Sequence, residues 1–111
     1  MDDWRVQEAT NQTIFREMNE WTEEANDARS GPGRAMDVYL CECSDRLCTE
    51  PISLTRLEYE AIRAVAVRFA IALNHENPEI DRVLFENERF ATVEKFYGAG
   101  AEIARATDPR R

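Results

Sequence analysis

The chain has a single histidine and a single lysine among its 111 residues. It has no apolar run near the roughly 20 residues a bilayer-crossing helix needs. It also has no internal repeat and no glycine-rich phosphate loop, because "GPGR" at 31–34 and "GAG" at 98–100 lack the required spacing and lysine. One histidine cannot serve several sites, and Ser, Cys and His form no persuasive catalytic triad. The opening "MDDWRVQEATNQ" lacks the basic and apolar regions of a secretory signal, so a cytoplasmic location is expected. Basic residues are outnumbered: the formal net charge is -8 and the pI about 4.7. Such a surface repels phosphate backbones, which argues against direct nucleic-acid binding. Trp4 and Trp21 are therefore read as core or docking aromatics, not as platforms for stacked bases.

Apolar residues make up 43% of the chain and charged residues 32%, enough for one small folded core and unlike a disordered composition. The acid is concentrated early, with eight acidic residues and three arginines in residues 1–30. A core this small gains from an added staple.

Cysteine is scarce too, and all three lie within "VYLCECSDRLCTE", residues 38–50, in the spacing Cys-x-Cys-x4-Cys. In a reducing compartment, an odd and clustered set of thiols points to metal binding or redox work ahead of structural disulfides.

Residues 7–29 read as a helix. Ile14, Met18, Trp21, Ala25 and Ala28 recur at steps of four and three and share a face, while Glu17, Glu20, Glu23, Glu24 and Asp27 solvate the remainder. That face either packs on the chain's own core or meets a partner, with Ile14, Met18 and Trp21 as the partner surface. "RSGPGR" at 29–34 ends the helix as a linker, dividing an acidic helix, 1–30, from an α+β core, 35–108. A strand follows over Asp37–Cys43 and a second over Ile52–Leu54. Thr55 and Glu58 form a capping box that opens a helix running to Ala66. Val67–Leu73 reads as a buried strand, Pro78 as the first turn of a short helical piece, and 83–96 as a hairpin turning at Asn87-Glu88. A short helix over 99–106 and a loose tail complete the chain. The fold class is α+β: an N-terminal helix, then a small, mostly antiparallel sheet carrying a zinc knuckle, with two further helices.

Cys41 and Cys43, two apart on an extended strand, project from one face. Four residues then return Cys48 to them. Three thiolates leave a tetrahedral ion one ligand short, and His75, in the loop after the third strand, is the nitrogen that would complete it. Mixed sulfur and nitrogen donors suit zinc. Asp45, Glu42 or a water are the alternatives for the fourth place. Glu76 is placed to accept the imidazole's other N–H.

The stretches "CECSDRLC", "LTRLEYEAIR", "NHENPE", "FATVEK" and the closing "DPR", together with "FREMNEW" in the first helix, resemble a group of small uncharacterised bacterial proteins over most of the chain. That group carries a Pro-Gly-His-Glu turn where this chain reads Leu73-Asn74-His75-Glu76. The resemblance implies that His75 and Glu76 belong to the site, and implies no particular activity.

Glu58, Glu60 and Tyr59 diverge on a helix and read as capping and solvated groups. Glu94 and Lys95 point to opposite faces of a strand and make a poor catalytic pair. The expected function is a zinc-stabilised protein-interaction or regulatory module with no chemistry of its own and a protein partner, or a homodimer, held through the first helix. Two alternatives are a zinc–thiolate redox sensor and a metal-dependent hydrolase with an open fourth position.

Overall fold

A computed structural model describes residues 4–30, 36–45, 47–95 and 98–110. Of the linker expected at 29–34, Arg29 and Ser30 belong instead to the first helix, and 31–34, with Phe96 of the expected hairpin, lie outside the described residues. Helix α1 spans Trp4–Ser30, and strands β1 (Met36–Leu40) and β2 (Pro51–Thr55) form an antiparallel pair. Helix α2 (Arg56–Arg63) follows directly, then β3 (Arg68–Ile71), β4 (Asp81–Glu86), β5 (Ala91–Lys95) and α3 (Gly98–Ala106). The last three strands form an antiparallel sheet in the order β3-β5-β4. The class is α+β, with an N-terminal helix, small antiparallel sheets and three helices among the described residues.

The local signals for α2 work as the sequence implies. Thr55 Oγ1 accepts the Glu58 N–H at 3.1 Å and Glu58 Oε1 accepts the Thr55 N–H at 2.8 Å. Glu58 also holds Arg89, at 2.8 Å, which ties the helix start to the β4–β5 turn. The helix stops at Arg63, short of the expected Ala66, and Leu57 stays exposed. Residues 81–95 form the expected hairpin, with Asn87 Oδ1 accepting the N–H groups of Arg89 and Phe90. Around Pro78 the chain makes a turn instead of a helix, closed by Ile80 and Asp81 donating to the Asn77 carbonyl. The interior gathers Tyr39, Leu54, Tyr59, Phe69, Ile71 and Val93, with Tyr39 stacked on Tyr59 at 4.5 Å.

Helix α1 reverses the expected facing. Ile14, Met18, Trp21 and Ala25 are exposed, and the helix is seated through Gln12, Arg16, Asn19 and Glu23, at the same steps of four, three and four on the opposite side. The reason is backbone accounting. Arg16 donates to the Ala66 carbonyl at 2.6 Å and to the Ala104 carbonyl near the end of α3 at 2.9 Å, and its guanidinium lies over the Phe69 ring. Carbonyls at a helix end have no intrahelical donor, and a buried one needs another. Asn19 donates to the Leu40 carbonyl and accepts the Leu40 N–H, both at 2.8 Å, and so takes the place of a missing strand beside β1.

The tail is also held, contrary to expectation. Asp108 is buried and accepts from Arg63 at 2.5 Å, while Arg110 pairs with Glu20, Glu23 and Glu60. Glu20 and Glu23 thus anchor cations where they were expected only to solvate the helix.

Candidate metal centre

The strand expected over Asp37–Cys43 ends at Leu40, because the chain changes partners there. The Cys41 N–H still reaches the Glu50 carbonyl beyond β2, at 3.2 Å, but the Glu42 N–H donates to the Ala70 carbonyl of β3, at 2.8 Å. Residues 41–43 therefore bridge the two sheets. This crossing brings the thiols alongside β3, whose C-terminal end leads into the histidine loop.

Glu42 locks the crossing. Its side chain is fully buried and points away from the thiols, accepting from Asn19 at 2.8 Å, from Tyr59 Oη at 2.7 Å and from the Ala70 N–H at 2.9 Å. Burial pushes its carboxyl above the usual range, and the three donors oppose that shift. With both oxygens engaged in this way, Glu42 is not a ligand. Asp45 shapes the return to Cys48: its carboxylate accepts the Leu47 N–H at 2.9 Å and its carbonyl accepts the Cys48 N–H at 3.0 Å. Asn11 on α1 holds the same loop through the Ser44 carbonyl, at 3.1 Å.

His75 arrives from the other side. Its N–H donates to the Ala72 carbonyl at 3.2 Å, and the turn passes through Asn74 at φ 68°. That left-handed conformation suits glycine, and asparagine is among the few side chains that tolerate it. The imidazole Nδ1 then lies 3.5 Å from Cys41 Sγ and 3.6 Å from Cys48 Sγ. One donor atom from each of Cys41, Cys43, Cys48 and His75 lies within 4.8 Å of every other. A tetrahedral zinc with Zn–S of about 2.3 Å and Zn–N of about 2.05 Å separates sulfur from nitrogen by about 3.5 Å. The four residues named from the sequence are therefore brought together, at a spacing suited to one ion.

The surroundings set the three thiols apart. The Ala72 N–H donates to Cys41 Sγ at 3.1 Å. A hydrogen bond from Cys41 draws the Cys43 thiol down to about 5, and the same bond, with burial, pushes Cys41 far up. Burial also raises Cys48. Within this trio one thiol is drawn down and two are pushed up, and binding a metal ion as thiolates requires all three to shed their protons.

Among the described residues the hydrogen-bond partners of the His75 ring are Cys41 and Cys48, and no hydrogen bond joins it to Glu76. Asn19, Tyr59 and Asn11, which position the thiol segment, were not anticipated. Their signal was faint, since each is an ordinary polar residue until the crossing is known. Glu94 pairs with Arg68 and Arg82, and Lys95 lies buried 3.2 Å from Asp81.

Comparison with known proteins gives no matching family model, no matching curated protein and no matching solved structure. The four-donor cluster is an arrangement that could hold a metal ion, and no helix among the described residues is long and apolar enough to cross a membrane.

Proposed function

We propose that Cys41, Cys43, Cys48 and His75 hold one zinc ion with a structural role, in a small cytoplasmic protein-interaction or regulatory module that has no catalytic chemistry of its own. The observation that carries this reading is the closure of the donor set by His75, on a loop far in sequence from the thiols. A structural site has all four positions filled by protein, whereas a hydrolytic one keeps a position for water. Here His75 stands where the water would bind, and no carboxylate joins the cluster among the described residues.

The ion would tie the β1–β2 unit to the loop after β3. Zinc in sites of this kind contributes on the order of 10 kcal/mol, comparable to the whole stability of a domain. Thermal melting with and without a strong chelator tests it. Chelation should lower the melting temperature by more than about 10 °C, and His75→Ala should retain zinc less tightly. An unchanged melting temperature in chelator would refute the structural role.

The redox reading keeps one point in its favour. Cys48 is partly exposed while Cys41 and Cys43 are buried, so an oxidant has one accessible sulfur. Stoichiometric zinc release by mild peroxide, reversed by a thiol reductant, would favour a sensor.

A further inference from the structure

Helix α1 turns its polar side inward and leaves an apolar stripe outside. Ile14, Met18 and Trp21 are 52%, 43% and 64% exposed. Trp21 belongs both to this stripe and to a cleft of about 540 Å³ between α1 and α2, lined also by Glu20, Glu23, Glu24, Arg56 and Glu60. Among the described residues carboxylates outnumber cations there. Arg110 reaches Glu20, Glu23 and Glu60, and Arg63 divides itself between Glu20 and Asp108.

The cleft also holds unmet polar capacity. Glu23 is nine-tenths buried; its Oε1 accepts from Arg110 at 3.0 Å, while its Oε2 has no hydrogen-bond partner among the described residues. Burial, and then the neighbouring Glu60, lift the Glu23 carboxyl to about 7. An added cation would relieve the excess negative charge.

We infer that this cleft and the adjoining stripe are a docking surface for a basic partner protein, which seats an arginine or lysine side chain against Trp21 and an apolar neighbour on Met18 and Ile14. The inference rests on the interaction-module reading above and names the kind of partner. Trp is the best aromatic face for a cation, and the carboxylates supply charge-assisted acceptors. An amphipathic segment with one cationic anchor matches the stripe-and-cleft arrangement. A second copy fits poorly, because helices paired along the stripe would bring Glu17 and Glu24 of both chains together. A nucleic acid or an acidic peptide is repelled by the net charge of -8.

The test is an amide and indole NMR titration of the full, zinc-supplemented chain with acetyl-Leu-Arg-Leu-amide, and with the same peptide carrying Glu in place of Arg. The Arg peptide should move the Trp21 indole N–H and the amides of residues 20–24, and the Glu peptide should leave them in place. Glu24→Lys and Trp21→Ala should each weaken the response about tenfold, with melting temperatures confirming that both variants fold. Equal response to both peptides, or none at Trp21, overturns the docking surface. Zinc content is read in the same sample. A chain that keeps its ion while Trp21 stays unmoved fails the cleft alone. A chain without zinc that still takes the Arg peptide fails the metal reading and leaves the cleft standing.

Discussion

Replacing Asn19 by alanine tests whether α1 is seated through its polar face. Asn19 is fully buried and makes three bonds of 2.8 Å: two with the Leu40 backbone and one donated to Glu42 Oε2. A neutral bond of this kind contributes about 1 kcal/mol and one to a charged acceptor about 1.5–3 kcal/mol. Alanine also leaves the Leu40 N–H and carbonyl short of partners at the rim of β1. The sum is about 4 kcal/mol, a large share of the 5–15 kcal/mol typical of a domain. Urea unfolding reads it: with a slope of about 1.5 kcal/mol/M, the midpoint should fall by about 2.7 M. Ile14→Ala, on the exposed side of the same helix, should cost less than about 0.5 kcal/mol. Because Asn19 grips the residues on either side of Cys41, the variant should also hold zinc more weakly. A loss below about 1 kcal/mol for Asn19→Ala, or a larger loss for Ile14→Ala, would show that the helix is held by its apolar face after all.

The backbone at the histidine loop offers a further prediction. Asn74→Val forces a β-branched side chain into φ 68°, which should cost about 1–2 kcal/mol and weaken zinc retention, as read by competition with a chromophoric chelator; undiminished retention would mean that the turn does not place His75. Titration of Glu23 gives another. Its carboxyl is raised to about 7 in the folded protein from an ordinary value of 4.5, so between those values the folded chain holds a proton that the unfolded chain releases. The stability Glu23 contributes is therefore full below about pH 4.5 and is lost as pH rises through about 7, so most of the loss falls between pH 5.5 and 8. Glu23→Gln should remove that dependence, so that wild type loses stability relative to the variant across this range in urea titrations. Parallel curves would contradict the raised value. The comparison cancels the opposite trend from zinc, whose ligands must shed protons to bind.

Elements whose structure is set by neighbouring residues were the ones readable in the sequence. The Thr55–Glu58 box, the 81–95 hairpin and the length of α1 all depend on local spacing. The donor set was legible for a different reason: a lone histidine and clustered thiols leave few other ways to complete a tetrahedral ion. What could not be read depends on pairing at a distance. The rule that apolar residues turn inward picked Ile14, Met18 and Trp21, yet Arg16 and Asn19 occupy the interior because backbone groups of Leu40, Ala66 and Ala104 need partners there. Glu42 looked like a spare oxygen ligand between two cysteines. Only the crossing from β2 to β3 shows it turned away to meet Asn19, Tyr59 and Ala70. The C-terminal residues looked loose for the same reason, since Arg63, Glu20 and Glu23, which hold Asp108 and Arg110, lie more than 40 residues away in the chain.

X-ray absorption at the zinc edge, on protein whose native mass shows one bound ion, tests the ligand set most directly. The account predicts a first shell of three sulfurs at about 2.3 Å and one nitrogen at about 2.0 Å, with the nitrogen lost in His75→Ala. A native mass without metal after purification in zinc, or a first shell dominated by oxygen, would contradict it.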